Sequence, residues 1–131
     1  MATQTPKGLV ATGNCYEDSA TELMDNPAFN GWTLVHGRPT LQIPPYVEYG
    51  HAWLEDPSGE IVWDPGVKSE LPKVLYYAFG RINPRDCYRY DAKQMKKKVV
   101  EFGHWGAWEG PDSTPPIPDE EIGEEAEEEE L

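Results

Sequence analysis

The sequence predicts a small α+β domain. Three observations carry this: a helical segment soon after the N-terminus, an antiparallel hairpin in the middle, and a second helix near residue 100. With 131 residues, the chain suffices for one domain around a single modest core. Three of the five tryptophans and six of the seven tyrosines fall between Trp32 and Tyr90, so the aromatic mass of that core is concentrated there.

Residues 1–12 read as a short arm or an edge strand built on Gly8-Leu9-Val10-Ala11. A helix follows from about Tyr16 to Asp25, with Asn14 or Thr12 as its cap and Glu17 and Asp18 suited to the positive end of its dipole. Ala20, Leu23 and Met24 have the i, i+3, i+4 spacing of a buried face, and Asn26-Pro27 ends the helix. Trp32 to His36 reads as a strand stopped by Gly37, and the Pro- and Gly-rich residues 37–46 as a loop. Val47 to Asp56 and Glu60 to Asp64 are the two arms of a hairpin, joined by the turn formers Asp56-Pro57-Ser58-Gly59. Val74 to Phe79 is uniformly apolar, which fits a strand or a short helix equally. Cys87 to Tyr90 reads as a strand. Asp91 caps a helix from about Ala92 to Phe102, with Lys96-Lys97-Lys98 on its solvent face and Gly103 as its stop. Trp105 to Trp108 is expected to fold back onto the domain.

The charge is unevenly placed. The formal net charge is -13, yet residues 1–110 hold fourteen acidic against eleven basic residues, while residues 111–131 hold ten acids and no Lys or Arg. The domain is therefore expected at 1–110, and 111–131 as an acidic disordered tail. Neither part offers the basic stripe that phosphate contacts need, which argues against nucleic-acid binding. No apolar run is long enough to span a bilayer, and the first residues lack the hydrophobic stretch of a signal peptide. Two cysteines are too few for a disulfide framework, so reduced thiols in a cytoplasmic setting are expected. With no Cys-x-x-Cys pair, no structural zinc is expected; no other metal and no cofactor is expected either.

Three side chains point to chemistry. Cys15 lies in Gly13-Asn14-Cys15-Tyr16, His51 opens His51-Ala52-Trp53-Leu54-Glu55, and Asp64 closes Ile61-Val62-Trp63-Asp64-Pro65. A thiol at the mouth of a helix meets backbone N–H groups and a positive dipole end, both of which favour a negative sulfur. With the turn centred between Pro57 and Ser58, His51 and Asp64 fall about opposite each other. Facing residues of an antiparallel pair have Cβ atoms roughly 4.5–5.5 Å apart. A carboxylate there fixes the imidazole's tautomer and supports its cation, completing a nucleophile, base and orienting acid.

Gly-x-Cys opening a helix, His-Ala-Trp-x-Glu on a strand and Trp-Asp-Pro on the next resemble the core of the transglutaminase-like branch of the papain superfamily. The resemblance covers roughly residues 13–66. It implies Cys15 as nucleophile, His51 as base and Asp64 as orienting acid, and a core in which the nucleophile's helix packs on an antiparallel sheet. Members of this branch include amide hydrolases, protein cross-linkers and proteins that have lost activity. The chain departs from the larger members in having no room for a calcium-binding cross-linker's extra domains. It also has no tryptophan placed before the nucleophile as an oxyanion partner. Asn14 and Gln4 are candidate donors in its place, with Trp53 a candidate for the cleft wall.

Two functions follow. One is a cysteine hydrolase or acyltransferase acting on a peptide or protein amide. The other is a silent binding module of the same fold that recognises or inhibits a protein partner, of a kind that viruses and mobile elements encode, with the acidic tail as a docking segment. The remaining candidates have plainer readings. Cys87 is a core thiol in an aromatic strand, His36 a rim or hydrogen-bonding residue, and His104 a surface residue.

Overall fold

In the computed structural model, which describes residues 14–117, an antiparallel sheet separates two helical layers. Its strands are β1 (Thr33–Gly37), β2 (His51–Glu55), β3 (Ile61–Asp64), β4 (Ser69–Pro72) and β5 (Tyr88–Tyr90), in the spatial order β4-β3-β2-β1-β5. Helices α1 (Asn14–Asp25) and α3 (Ala92–Phe102) cover one face, and α2 (Lys73–Gly80) covers the other. The fold is thus α+β, with a five-stranded antiparallel sheet and three helices.

Every residue of the central strand β2 is buried, because both of its faces are covered. Alternation sends Ala52 and Leu54 toward α1 and α3, where they join Leu34, Leu23, Ala20, Tyr90, Met95 and Trp108. The other parity sends Trp53 toward α2, into a cluster with Val35, Val62, Tyr77 and Ile82. Each large apolar side chain so buried contributes about 1.5–3 kcal/mol. Gly37 makes room for the Trp53 ring: a Cβ there would lie 2.5 Å from the indole and 3.0 Å from the Cys87 sulfur. The sheet's edges are blunted by β5, only three residues long, and by Pro72 ending β4.

Helix α1 starts at Asn14, so Asn14 is its first residue and not its cap; Thr12 lies outside the described residues. Its buried face is Cys15, Ser19, Ala20 and Leu23, and Met24 is turned outward. Helix α3 matches expectation at both ends. Asp91 and Gln94 form a reciprocal capping box, and Gly103 closes the helix at φ 73. The apolar run 74–79 is helical. The proposed arm at residues 1–12 lies outside the described residues, as do residues 118–131 of the acidic tail.

The hairpin has a different centre from the expected one. Leu54 pairs with Trp63 and Glu55 with Val62, so the turn is centred between Ser58 and Gly59. Asp56 sets it: its Oδ1 accepts the N–H groups of Glu60 at 3.0 Å and Ile61 at 3.1 Å. This moves the register by two residues, which leaves every side chain on its expected face.

The folded unit also runs past the expected boundary at residue 110. Asp112 pairs with Arg38 at 2.9 Å, and the Ile117 N–H bonds to the Phe102 carbonyl at 2.9 Å.

Candidate functional site

His51 and Asp64 meet. Nε2 of His51 lies 2.9 Å from Asp64 Oδ2, and both residues are more than nine-tenths buried. They reach each other on the diagonal of the β2–β3 ladder, because the register sets Asp64 two positions from the point facing His51. Asp64 is fixed through both oxygens. Oδ1 accepts the Gly66 N–H at 2.6 Å, and Oδ2 accepts the Tyr76 hydroxyl as well as the imidazole.

Cys15 approaches from the other layer. Alternation puts His51 on the Trp53 side of the sheet, whereas α1 packs on the opposite side. Cys15 is the second residue of α1 and His51 the first of β2, and the thiol is among the groups that act on the ring. The thiol acts on His51, Tyr49 and Tyr76 as a close electrostatic neighbour. His51 Nδ1 is buried and makes no hydrogen bond of good geometry. With Nε2 held by Asp64, Nδ1 is the nitrogen left to exchange a proton with the sulfur.

The ring's charge state follows from these neighbours. Burial alone pushes His51 down, but the Asp64 hydrogen bond and the Cys15 thiol more than offset it and raise the ring to about 9. The imidazole is therefore a cation at neutral pH. Burial also pushes Asp64 up, yet His51, Tyr76 and the Gly66 N–H hold it below the ordinary carboxylate value. The Tyr49 ring lies 5.7 Å from the imidazole, and its phenol is pushed up by burial and by the charges of Asp64 and Cys15. Residues 37–46 lead to this rim through the bridge between Thr40 and Glu48.

The other candidates separate. Trp53 is fully buried, and its indole N–H donates to Glu55 Oε2 at 3.0 Å, so it serves neither as cleft wall nor as oxyanion donor. Asn14 is exposed at the start of α1, and Gln4 lies outside the described residues.

His36 is not a rim residue. It is 3% exposed, boxed by Tyr16, Tyr90 and Trp108 at ring distances of 4.8, 5.1 and 4.9 Å, with neither nitrogen hydrogen-bonded. Burial pushes it down to about 3. Half-buried His104 bonds to Thr114 O at 3.2 Å. Cys87 sits at the foot of β5 against Tyr77, and burial pushes its thiol up.

Two features escaped sequence reasoning. Buried Glu55 collects Trp53, Tyr77 (2.5 Å), Arg89 (2.6 Å) and Lys73 (3.1 Å) beneath α2. Tyr76, the residue before Tyr77 in that helix, reaches Asp64. The available signal was parity: His51, Trp53 and Glu55 share one face of a strand.

A cavity of about 10 Å³, room for one water, lies among Tyr16, His36, Arg38, Tyr88 and Asp112. Among the described residues there is no cluster of three or more metal-ligating side chains, and no helix is long and apolar enough to cross a membrane. No family model matches the chain, and no curated protein or solved structure matches it.

Proposed function

We propose that this chain is a cysteine-dependent amide hydrolase or acyltransferase of the transglutaminase-like, papain-type class, with Cys15, His51 and Asp64 as its triad. The observation that carries the reading is the buried 2.9 Å pair of His51 Nε2 and Asp64 Oδ2, which leaves Nδ1 for the sulfur of Cys15. In the reaction, Cys15 Sγ forms a bond to the carbonyl carbon of a peptide or protein amide. The carbon–nitrogen bond breaks, and His51 gives its Nδ1 proton to the departing amine. Water, or an amine acceptor, then gives a proton to His51 and attacks the thioester. The acyl group leaves as an acid or a new amide, and the sulfur is restored. Asp64 keeps Nε2 protonated throughout and stabilises the cation. The positive end of the α1 dipole, beside Cys15, favours the carbonyl's developing charge.

One observation favours the second reading, a silent module that binds a protein partner. Cys15, His51 and Asp64 are 6, 8 and 7% exposed, which leaves little open surface at the sulfur. Labelling with an iodoacetamide probe at pH 7, read by intact mass, separates the two. The catalytic reading expects one fast adduct that disappears in Cys15→Ala, with Cys87 labelled far more slowly. Equal, slow labelling of both thiols would overturn it and leave the binding module. Mixed lysate or model amide donors then test for a thioester on Cys15 by the same mass measurement.

A further inference from the structure

We propose that Tyr76 is a positioning residue of this site, sharing Asp64 Oδ2 with His51 so that its hydroxyl sets how firmly Asp64 holds the imidazole. The inference rests on the proposed catalytic reading for its relevance to turnover, but its geometry stands apart from it. Helix α2 turns two adjacent tyrosines inward, and each phenol donates to a buried carboxylate on the sheet: Tyr77 to Glu55, and Tyr76 to Asp64. The Tyr76 ring is braced edge-on against Trp53 at 5.3 Å, which fixes its hydroxyl over Oδ2.

A carboxylate oxygen can accept from both donors, but they divide its charge. Removing the phenol leaves Oδ2 to the imidazole alone, with Oδ1 still held by Gly66. The imidazolium is then favoured more strongly and gives up its proton less readily. The other groups that face His51 stay in place. These are Cys15 from α1, Tyr49 from the segment before β2, Asp64 from β3 and the Trp53 ring on its own strand at 6.0 Å. The phenol itself stays protonated, since burial and the Asp64 charge push it well above its ordinary value, so it only donates.

The test is an NMR titration of His51 and His36 in the full chain, wild type against Tyr76→Phe, with Tyr77→Phe as control. The expected result is a rise of at least half a pH unit in the His51 midpoint in Tyr76→Phe, about a threefold gain in proton affinity. His36 should not move, and Tyr77→Phe should leave His51 where it was. An unchanged or lowered His51 midpoint in folded Tyr76→Phe, or an equal rise in Tyr77→Phe, overturns the proposal. A measurement on the wild type guards against a variant that does not fold. The Tyr76 hydroxyl proton should appear as a slowly exchanging downfield resonance that is lost in Asp64→Asn, and its absence from the wild type also overturns the proposal. None of these outcomes depends on Cys15 being reactive, so failure here and failure of the catalytic reading remain distinct.

Discussion

His51 and Asp64 form a 2.9 Å hydrogen bond although their strands are registered two residues away from placing them face to face. The longer reach of a diagonal pair suits a ring opposite a short acid. It also leaves the position across from Asp64 to Trp53, whose indole N–H bonds to Glu55.

Replacing Asp64 by Asn should therefore be costly in two ways. Removing one charge of a buried pair destabilises by about 3 kcal/mol, which urea denaturation will measure. The His51 midpoint should fall well below its native value of about 9 in an NMR titration. If the chain is an enzyme, kcat should drop by up to roughly 10⁴-fold, the loss seen when the orienting acid of a Ser-His-Asp triad is neutralised.

The same pair makes stability depend on pH. The folded His51 value, about 9, lies above the unfolded 6.5, so its contribution is complete below 6.5 and disappears as pH rises through about 9. Within that window the slope is about 1.4 kcal/mol per pH unit. Asp64 acts on the acid side: its contribution is present above the ordinary carboxylate value and is lost as pH falls through its depressed one. Urea unfolding of wild type and His51→Gln should show the decline between pH 6.5 and 9 in the wild type only; above pH 9 both proteins lose stability through Cys87, Tyr49 and Tyr76, which burial pushes up.

His36 works in the opposite sense. Its folded value is about 3, so the unfolded chain takes up a proton first, and stability declines as pH falls from 6.5 toward 3. His36→Leu, close in volume, should change stability at pH 7 by less than about 1.5 kcal/mol. At pH 5 it should gain about 2 kcal/mol relative to wild type. Acid unfolding followed by tryptophan fluorescence checks this; identical acid midpoints would refute the boxed, neutral ring.

Gly37→Ala should destabilise by about 1–3 kcal/mol through overpacking. Its Cβ would stand 2.5 Å from the Trp53 ring, which is confined on all sides. Near-UV circular dichroism should report the displaced indole, and thermal unfolding the lost stability.

Glu55→Gln should cost about 3 kcal/mol, because Arg89 and Lys73 lose their shared anion under α2. Cys15, His51 and Asp64 should keep their geometry, so Cys15 labelling should change little while urea unfolding shifts.

The parts of this fold that the sequence announced are those made by local chemistry. Asp91 and Gln94 cap α3, and Gly103 stops it, with no help from distant residues. The hairpin was likewise visible in Asp56-Pro57-Ser58-Gly59, but its centre was not. The Asp56 carboxylate captures two N–H groups beyond the obvious turn residues, and that choice is made by side-chain geometry. Strand β4 has no alternation to reveal it and exists through its pairing with β3. Helix α2 was ambiguous because Val74, Leu75 and Phe79 are apolar yet exposed, which hides its period. Cys15, His51 and Asp64 could be singled out from type and spacing. Tyr76 could not, since only tertiary packing brings α2 over the carboxylate. His36 was misread because nothing local to it foretells the rings of Tyr16, Tyr90 and Trp108.

Side chains on a strand change sides with each step, so the pairing register of β2 with β3 carries a parity. A slip of two residues would slide the acid along the ladder while keeping it on the imidazole's side. A slip of one residue would carry it through to the layer of α1 and α3 and strand the imidazole without a counterion. Asp56 holds that pairing in place through Glu60 and Ile61, so related chains should keep an acceptor at this position even where the rest of the turn varies in length and composition.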